Sequence, residues 1–375
     1  MPSLMLFLEL AAIAIIFAGL PLLYLWKKPG YSIFQKLNWV LVFMTFDLIV
    51  FGAFTSLSDS GLGCPDWPGC YGTSNPFHAL GDIQQAEGAW PTGPVTVIKA
   101  WIEMIHRYLA MTVGTLILVQ VAIAFTRLKS LGKKPLIGSL GLLLLVCVQG
   151  AFGAWTVTLK LQPIIVTTHL MLALILLACL TAYAQQTWED RSSVVRAIRI
   201  RPLSAQLLIL SFIVLFVQVF LGAWVSTNYA VLACPDFPMC LGGAWPDTDW
   251  GEGFTFWRQL GLNAQGDLLS PAALQTIHWA HRLFAMAVLI TLGSLGWRAL
   301  QLTTPALLGL GQVAKLLLAV LLLQVITGIS NVVFQWPLLA ALLHTAGSAA
   351  LVFCLVRMSY WASWKPYIQK KTTSI

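Results

Sequence analysis

Apolar residues gather into nine runs separated by polar connections, at roughly 4–26, 38–57, 98–126, 135–156, 164–185, 204–226, 272–298, 306–330 and 338–358. Each is near or above the ~20 residues that an α-helix needs to cross a bilayer. Two connections are long, about 58–97 and 227–271, and are rich in Gly, Pro, Trp and Asp. The first run lacks a small-residue cleavage site before Lys27 and Lys28, so it predicts a retained helix rather than a removed signal peptide. The pattern predicts an all-α polytopic membrane protein of about nine spans.

Composition agrees. Of 375 residues, 58% are hydrophobic and only 10% charged, against about 25% charged in soluble domains. The net charge of +8 invites a nucleic-acid reading, but its distribution excludes one. Lys27, Lys28 and Lys36, then Arg127, Lys129, Lys133 and Lys134, then Arg191, Arg196, Arg199 and Arg201, and finally Arg357, Lys365, Lys370 and Lys371 fall in alternate connections. The other connections carry Lys160, Arg258 and most of the acids. By the positive-inside rule the basic connections face the cytoplasm. The protein is then expected in a bacterial-type cell (inner) membrane, with a cytoplasmic C-terminus and the long loops outside. An odd number of spans leaves the N-terminus outside too.

The chain repeats itself. Gly52-Ala-Phe-Thr-Ser56 is answered 170 residues later by Gly222-Ala-Trp-Val-Ser226, and Cys64-Pro-Asp-Trp-Pro-Gly-Cys70 by Cys234-Pro-Asp-Phe-Pro-Met-Cys240 at the same spacing. Gln149 and Gly153 are answered 175 residues later by Gln324 and Gly328. The organisation read from this is two tandem four-helix-bundle repeats plus one extra N-terminal transmembrane helix. Residues 1–37 form the extra helix and a cytoplasmic loop, 38–185 the N-terminal half, 186–203 a linker, 204–358 the C-terminal half and 359–375 a basic tail. Parallel repeats about an axis along the membrane normal are a known architecture, and paired bundles place sites between facing helices.

Four histidines follow the repeat. His106 and His281 are 175 residues apart, as are His169 and His344. Each lies five to nine residues inside its run, or ~8–14 Å below the outer surface at ~1.5 Å per residue. Opposed imidazoles across a bundle are a known way to hold haem iron, whereas zinc wants a third or fourth protein ligand. The halves differ beside the histidines. Glu103 stands three residues before His106 on the same helical face, and its counterpart is His278. A carboxylate within a span points to function, the alternative being an acid favoured by the helix N-terminus. The imbalance suggests a reactive site in the first half and an electron-handling site in the second. His278 is either a polar neighbour or an alternative ligand. Arg107 and Arg282 are candidates for haem propionate contacts or snorkelling cations, and Asp47 has no evident partner.

Of seven cysteines, Cys147, Cys179 and Cys354 fall within spans and read as packing residues. Cys64 with Cys70, and Cys234 with Cys240, occupy the outer loops, where disulfides persist. Their matched spacing predicts two local disulfides, as structural staples or as redox-active pairs.

The ordered set of Cys64-Pro-Asp-Trp-Pro-Gly-Cys70, Glu103-Met-Ile-His-Arg107, His169, His281-Arg282 and His344 resembles the haem A synthase family, across nearly all of 38–358. The resemblance implies oxidation of a porphyrin methyl of haem O to a formyl by successive hydroxylations. It implies haem b as cofactor in the C-terminal half, ligated by His281 and His344. The substrate haem then occupies the N-terminal half at His106 and His169, with Glu103 at the reacting edge. Implied partners are a haem O synthase as donor, cytochrome oxidase assembly factors and an electron-transfer partner whose nature is open. The family core has eight spans, so the run at 4–26 departs from it. The rival from another class is a di-haem b electron carrier of quinol-oxidising type, which has no use for Glu103. A transporter built on repeats has only Asp47 in its favour.

Overall fold

The computed structural model describes residues 4–27, 30–189 and 202–363. Most of the linker and of the basic tail, including Arg191, Arg196, Arg199, Arg201, Lys365, Lys370 and Lys371, lies outside the described residues, as does Lys28. The helices, in chain order, are α1 (Leu4–Lys27), α2 (Ile33–Leu57), α3 (Leu80–Ala89), α4 (Val97–Thr126), the single turn α5 (Leu128–Leu131), α6 (Lys133–Thr158), α7 (Pro163–Glu189), α8 (Ala205–Thr227), the short α9 (Trp250–Gly253), α10 (Pro271–Gln301), α11 (Leu308–Val333) and α12 (Leu338–Met358). Eight of them are long and apolar enough to cross a membrane: α2, α4, α6, α7, α8, α10, α11 and α12. The ninth expected span corresponds to α1, a further apolar helix.

Helix starts follow capping chemistry. In α2 the Ser32 hydroxyl accepts the Gln35 N–H at 3.3 Å while the Gln35 side chain accepts the Ser32 N–H, a reciprocal capping box. That box begins the helix at Ile33, five residues before the apolar run. Thr96 caps α4 and Ser270 caps α10, the latter followed by Pro271 in the first turn. The links α6–α7 and α11–α12 turn alike. Each has two successive residues in left-handed conformation, Lys160 and Leu161 in the first and Gln335 and Trp336 in the second.

Within the first half α2 packs on α4, α4 on α6, α6 on α7 and α7 back on α2. The second half closes in the same order through α8, α10, α11 and α12. Between halves the last helix of each meets the first of the other (α7 with α8, α12 with α2), and the two last helices meet each other. That arrangement is a pseudo-two-fold, and one apolar core runs across it, from Leu37, Leu41 and Leu177 to Leu208, Leu215, Leu317 and Leu355. Helix α1 stands outside the repeat. It lies along α4, where Leu6 and Leu10 join a cluster with Cys64, Cys70 and Met104, and Phe17 stacks on Tyr108 at 6.4 Å.

At the end away from the long loops, polar side chains bond to one another inside the bundle. Gln120 donates to Asn38 Oδ1 at 2.6 Å, Asn38 donates to Thr187 Oγ1 at 2.8 Å, and Gln35 donates to the Thr187 carbonyl at 2.7 Å. Asn38 is fully buried and joins α2, α4 and α7. Asn38→Leu leaves the Gln120 amide without its acceptor and is expected to cost about 1–3 kcal/mol. Heat unfolding in detergent reads this as a lower midpoint, and an unchanged midpoint would contradict the network's role.

Candidate functional site

All four histidines sit two to three turns into helices that start at the loop end: His106 in α4, His169 in α7, His281 in α10 and His344 in α12. At about 1.5 Å per residue they lie about 9–15 Å below their helix starts. Each of these histidines is half-buried. Each also lies against a glycine of a neighbouring helix, which explains the glycines that the repeat contains. A Cβ on Gly52 would stand 2.9 Å from His106 Nε2, and one on Gly222 would stand 2.8 Å from His281 Cε1. A Cβ on Gly153 or Gly328 would stand 3.3 Å from Cε1 of His169 or His344. A larger residue at Gly52 or Gly222 would displace the ring.

The structure brings His281 and His344 face to edge, with ring centroids 6.3 Å apart and planes at 76°. In the first half His106 instead stacks on Phe51 at 6.4 Å. Glutamines hold the histidine backbones. Gln149 donates to the His169 carbonyl at 2.9 Å and Gln324 to the His344 carbonyl at 3.0 Å. Gln218 reaches His281 at both its carbonyl (3.2 Å) and its ring Nδ1 (3.1 Å). The residue 170 positions before Gln218 is Leu48.

Above each pair lies a disulfide loop, Cys64–Cys70 and Cys234–Cys240. The expected pairings are those observed, and the sulfurs are buried. The two loops fold alike. Asp66 accepts the N–H groups of Tyr71 (2.6 Å) and Gly72 (2.7 Å), and Asp236 those of Leu241 (2.7 Å) and Gly242 (2.8 Å). The Gly242 and Leu241 bonds hold the Asp236 carboxyl below its ordinary range. Its contribution is therefore present at neutral pH and is lost only as pH falls through that lowered value.

Arg107 and Arg282 bolt these loops to the helices. Arg107 donates to the carbonyls of Asp66 (2.9 Å), Pro68 (3.3 Å) and Gly69, and pairs with Glu103. Arg282 donates to the carbonyls of Cys234 (2.7 Å), Asp236 (2.9 Å) and Met239 (2.9 Å), and through Nε to His278 Nε2 at 3.1 Å. His278 is thus buried beside the arginine and stands as its polar neighbour. The other carboxylate oxygen of Glu103 accepts the Cys64 N–H at 2.8 Å. Gly63 permits this, because a Cβ there would lie 2.5 Å from the Lys99 backbone. Glu103 is the seventh residue of α4, so its partners are Arg107 and the loop, not the free N–H groups of the first turn.

Among the described residues no three His, Cys, Asp or Glu side chains converge to hold a bare metal ion; the donor sets are imidazole pairs. Residues 35–356 match the profile of the COX15-CtaA family, described as cytochrome oxidase assembly protein. The chain belongs to the COX15-CtaA family. A protein of Shewanella oneidensis named Heme A synthase is 38% identical over 330 residues, covering 87% of this chain and 97% of that one. Proteins of the same name from Caulobacter vibrioides and Halalkalibacterium halodurans are 28% and 25% identical, covering 84% and 64% of this chain and 91% and 77% of theirs.

In this COX15-CtaA chain, the sequence reading missed two residues that touch the imidazoles, Gln218 and Thr327. The Thr327 hydroxyl lies 2.9 Å from His344 Nδ1. The signal available was a polar residue in an apolar run with no polar counterpart in the other half. Asp47 lies on an exposed face of α2, away from the histidines' glycine contacts.

Because the four sulfurs are buried and paired, alkylation of native protein should label Cys64, Cys70, Cys234 and Cys240 only after reduction. Mass mapping checks this, and free labelling without reductant would sink the pairing. Arg107→Met should let reductant reach Cys64 and Cys70 faster, since the loop loses its anchor.

Proposed function

We propose that this protein is a haem A synthase, a membrane oxidoreductase that converts haem O to haem A. The observation that carries the reading is the duplicated imidazole pair with unequal neighbours, Glu103 on one side and His278 on the other. It occurs in a COX15-CtaA chain whose relatives bear the name Heme A synthase. The overall half-reaction takes a methyl group and one water to a formyl group with release of four protons and four electrons. It divides into two two-electron steps, methyl to hydroxymethyl and hydroxymethyl to hydrated aldehyde, which then loses water. The four electrons pass to an oxidant, either dioxygen or a separate electron acceptor.

The residues fit haem. Four imidazoles lie at similar depth in apolar helices, each beside a glycine that leaves the ring uncrowded, and His169 Nδ1 is buried with no hydrogen-bond partner among the described residues. In this reading His106 and His169 bind the substrate haem, and His281 and His344 hold a resident haem b. Haem b supplies one-electron redox chemistry. Glu103 belongs to the substrate side. Arg107 and the Cys64 N–H fix its carboxylate one helical turn from His106, on the loop side. There it acts on the carbon being oxidised, as a fixed negative charge or as a base toward water. Arg107 and Arg282 place positive charge near the haem edges, where propionates are attracted. Direct bonds are limited to donors not already given to loop carbonyls.

The distribution of Lys and Arg supports placing the loops and both sites toward the outer (periplasmic) face of a bacterial cell membrane, with the C-terminus in the cytoplasm. A haem O synthase as donor and oxidase assembly factors as recipients complete the reading.

Substitution separates the halves. His281→Ala and His344→Ala should strip retained haem b, while His106→Ala and His169→Ala should leave most of it and abolish conversion. Equal depletion by all four would refute the division. Glu103→Gln should keep haem b and slow conversion by at least ~10²-fold, the low end for a lost general base. Glu103→Asp should retain more activity than Gln. The ratio of haem A to haem O in the purified variants reads both, and near wild-type haem A in the Gln variant would remove Glu103 from the chemistry.

A further inference from the structure

The two halves differ in what their imidazoles lean on. Thr327 in α11 is 4% exposed, and its hydroxyl donates its single proton to the Leu323 carbonyl one turn back, at 2.8 Å. A hydroxyl oxygen still has lone pairs to offer. With the hydroxyl proton given to that carbonyl, the His344 Nδ1, 2.9 Å away, carries the proton between them. That assignment leaves His344 Nε2 with its lone pair free, so the ring is presented as a ligand in one tautomer and one orientation. The N-terminal half lacks this device. The residue 175 positions before Thr327 is Phe152, whose ring packs on Trp155 at 5.0 Å. His169 Nδ1 is buried with no hydrogen-bond partner among the described residues.

We infer that Thr327 is a positioning residue that would make His344 a firm haem ligand, and that Phe152 at the matching place would leave His169 an exchangeable one. The inference rests on the proposed division between a resident haem and a substrate haem, and explains how one duplicated scaffold serves both. A ligand imidazole whose second nitrogen donates to a fixed oxygen is better oriented and more electron-rich, and loss of such a partner commonly weakens metal binding 10–100-fold. A substrate site must release its haem after oxidation, and an imidazole without that support suits it.

The test measures haem loss to excess apo-globin scavenger and the midpoint potential of the retained haem, in full-length protein in detergent. Thr327→Val keeps the side-chain shape but removes the oxygen. It should speed loss of the retained haem by about 10–100-fold and raise its midpoint potential, and Thr327→Ser should restore both. A packing role alone would not move the potential or be rescued by serine. The graft Phe152→Thr should slow haem loss from the N-terminal half, which provides an answer even if the valine variant does not accumulate. If Thr327→Val keeps wild-type loss and potential while His344→Ala loses haem, Thr327 has no such role and the functional reading stands. Unchanged loss in Phe152→Thr would overturn the contrast between the halves. If His344→Ala retains the haem as well, the reading of the site itself fails.

Discussion

A polar group inside a bilayer has no water to turn to, so a partner in the protein stabilises it strongly. Much of this structure follows from that constraint. Arg107 and Arg282 lie in spans and find carbonyl oxygens of the disulfide loops; in doing so they pin those loops above the histidines. Glu103 is satisfied by Arg107 and a loop N–H, and Gln149 and Gln324 by the carbonyls of the histidines themselves. At the opposite end Asn38 links Gln120 to Thr187. At the loop end, the bonds that relieve buried polarity are thus the bonds that build the site.

Duplication supplies the scaffold, and departures from it supply the chemistry. Glycines, glutamines, arginines and disulfide loops recur in both halves in matching roles. Differences cluster around the imidazoles: Glu103 against His278, Leu48 against Gln218 and Phe152 against Thr327. They divide in one sense. The C-terminal half gives its histidines polar supports, which suits the resident-haem site proposed for it. The N-terminal half gives its pair a carboxylate and apolar neighbours, which suits the substrate site proposed there.

The spans, the repeat and the cysteine pairs were legible in the sequence because each leaves a local or periodic trace. Runs such as 338–358 matched α12 throughout, and the capping box at Ser32 and Gln35 shows why α2 begins ahead of its apolar run. The arginine clamps were not legible, because a backbone carbonyl acceptor has no residue type to betray it. The repeated glycines were visible as a pattern, but their meaning depends on which helix each one faces. Gln218 and Thr327 passed as isolated polar residues, since the sequence does not show that their helices turn them toward His281 and His344. Glu103 was found, yet its hold on the Cys64 N–H depends on the close approach of Gly63 to α4.

The central claim is that one half keeps its haem while the other changes it. Purifying the unaltered protein from cells that make haem O, extracting its pigments and resolving them by chromatography and mass spectrometry tests this most directly. The account predicts about one haem b per chain together with haem O, its hydroxymethyl derivative or haem A. Two haem b per chain, with no haem O or oxidised product, would mark a di-haem electron carrier and contradict it.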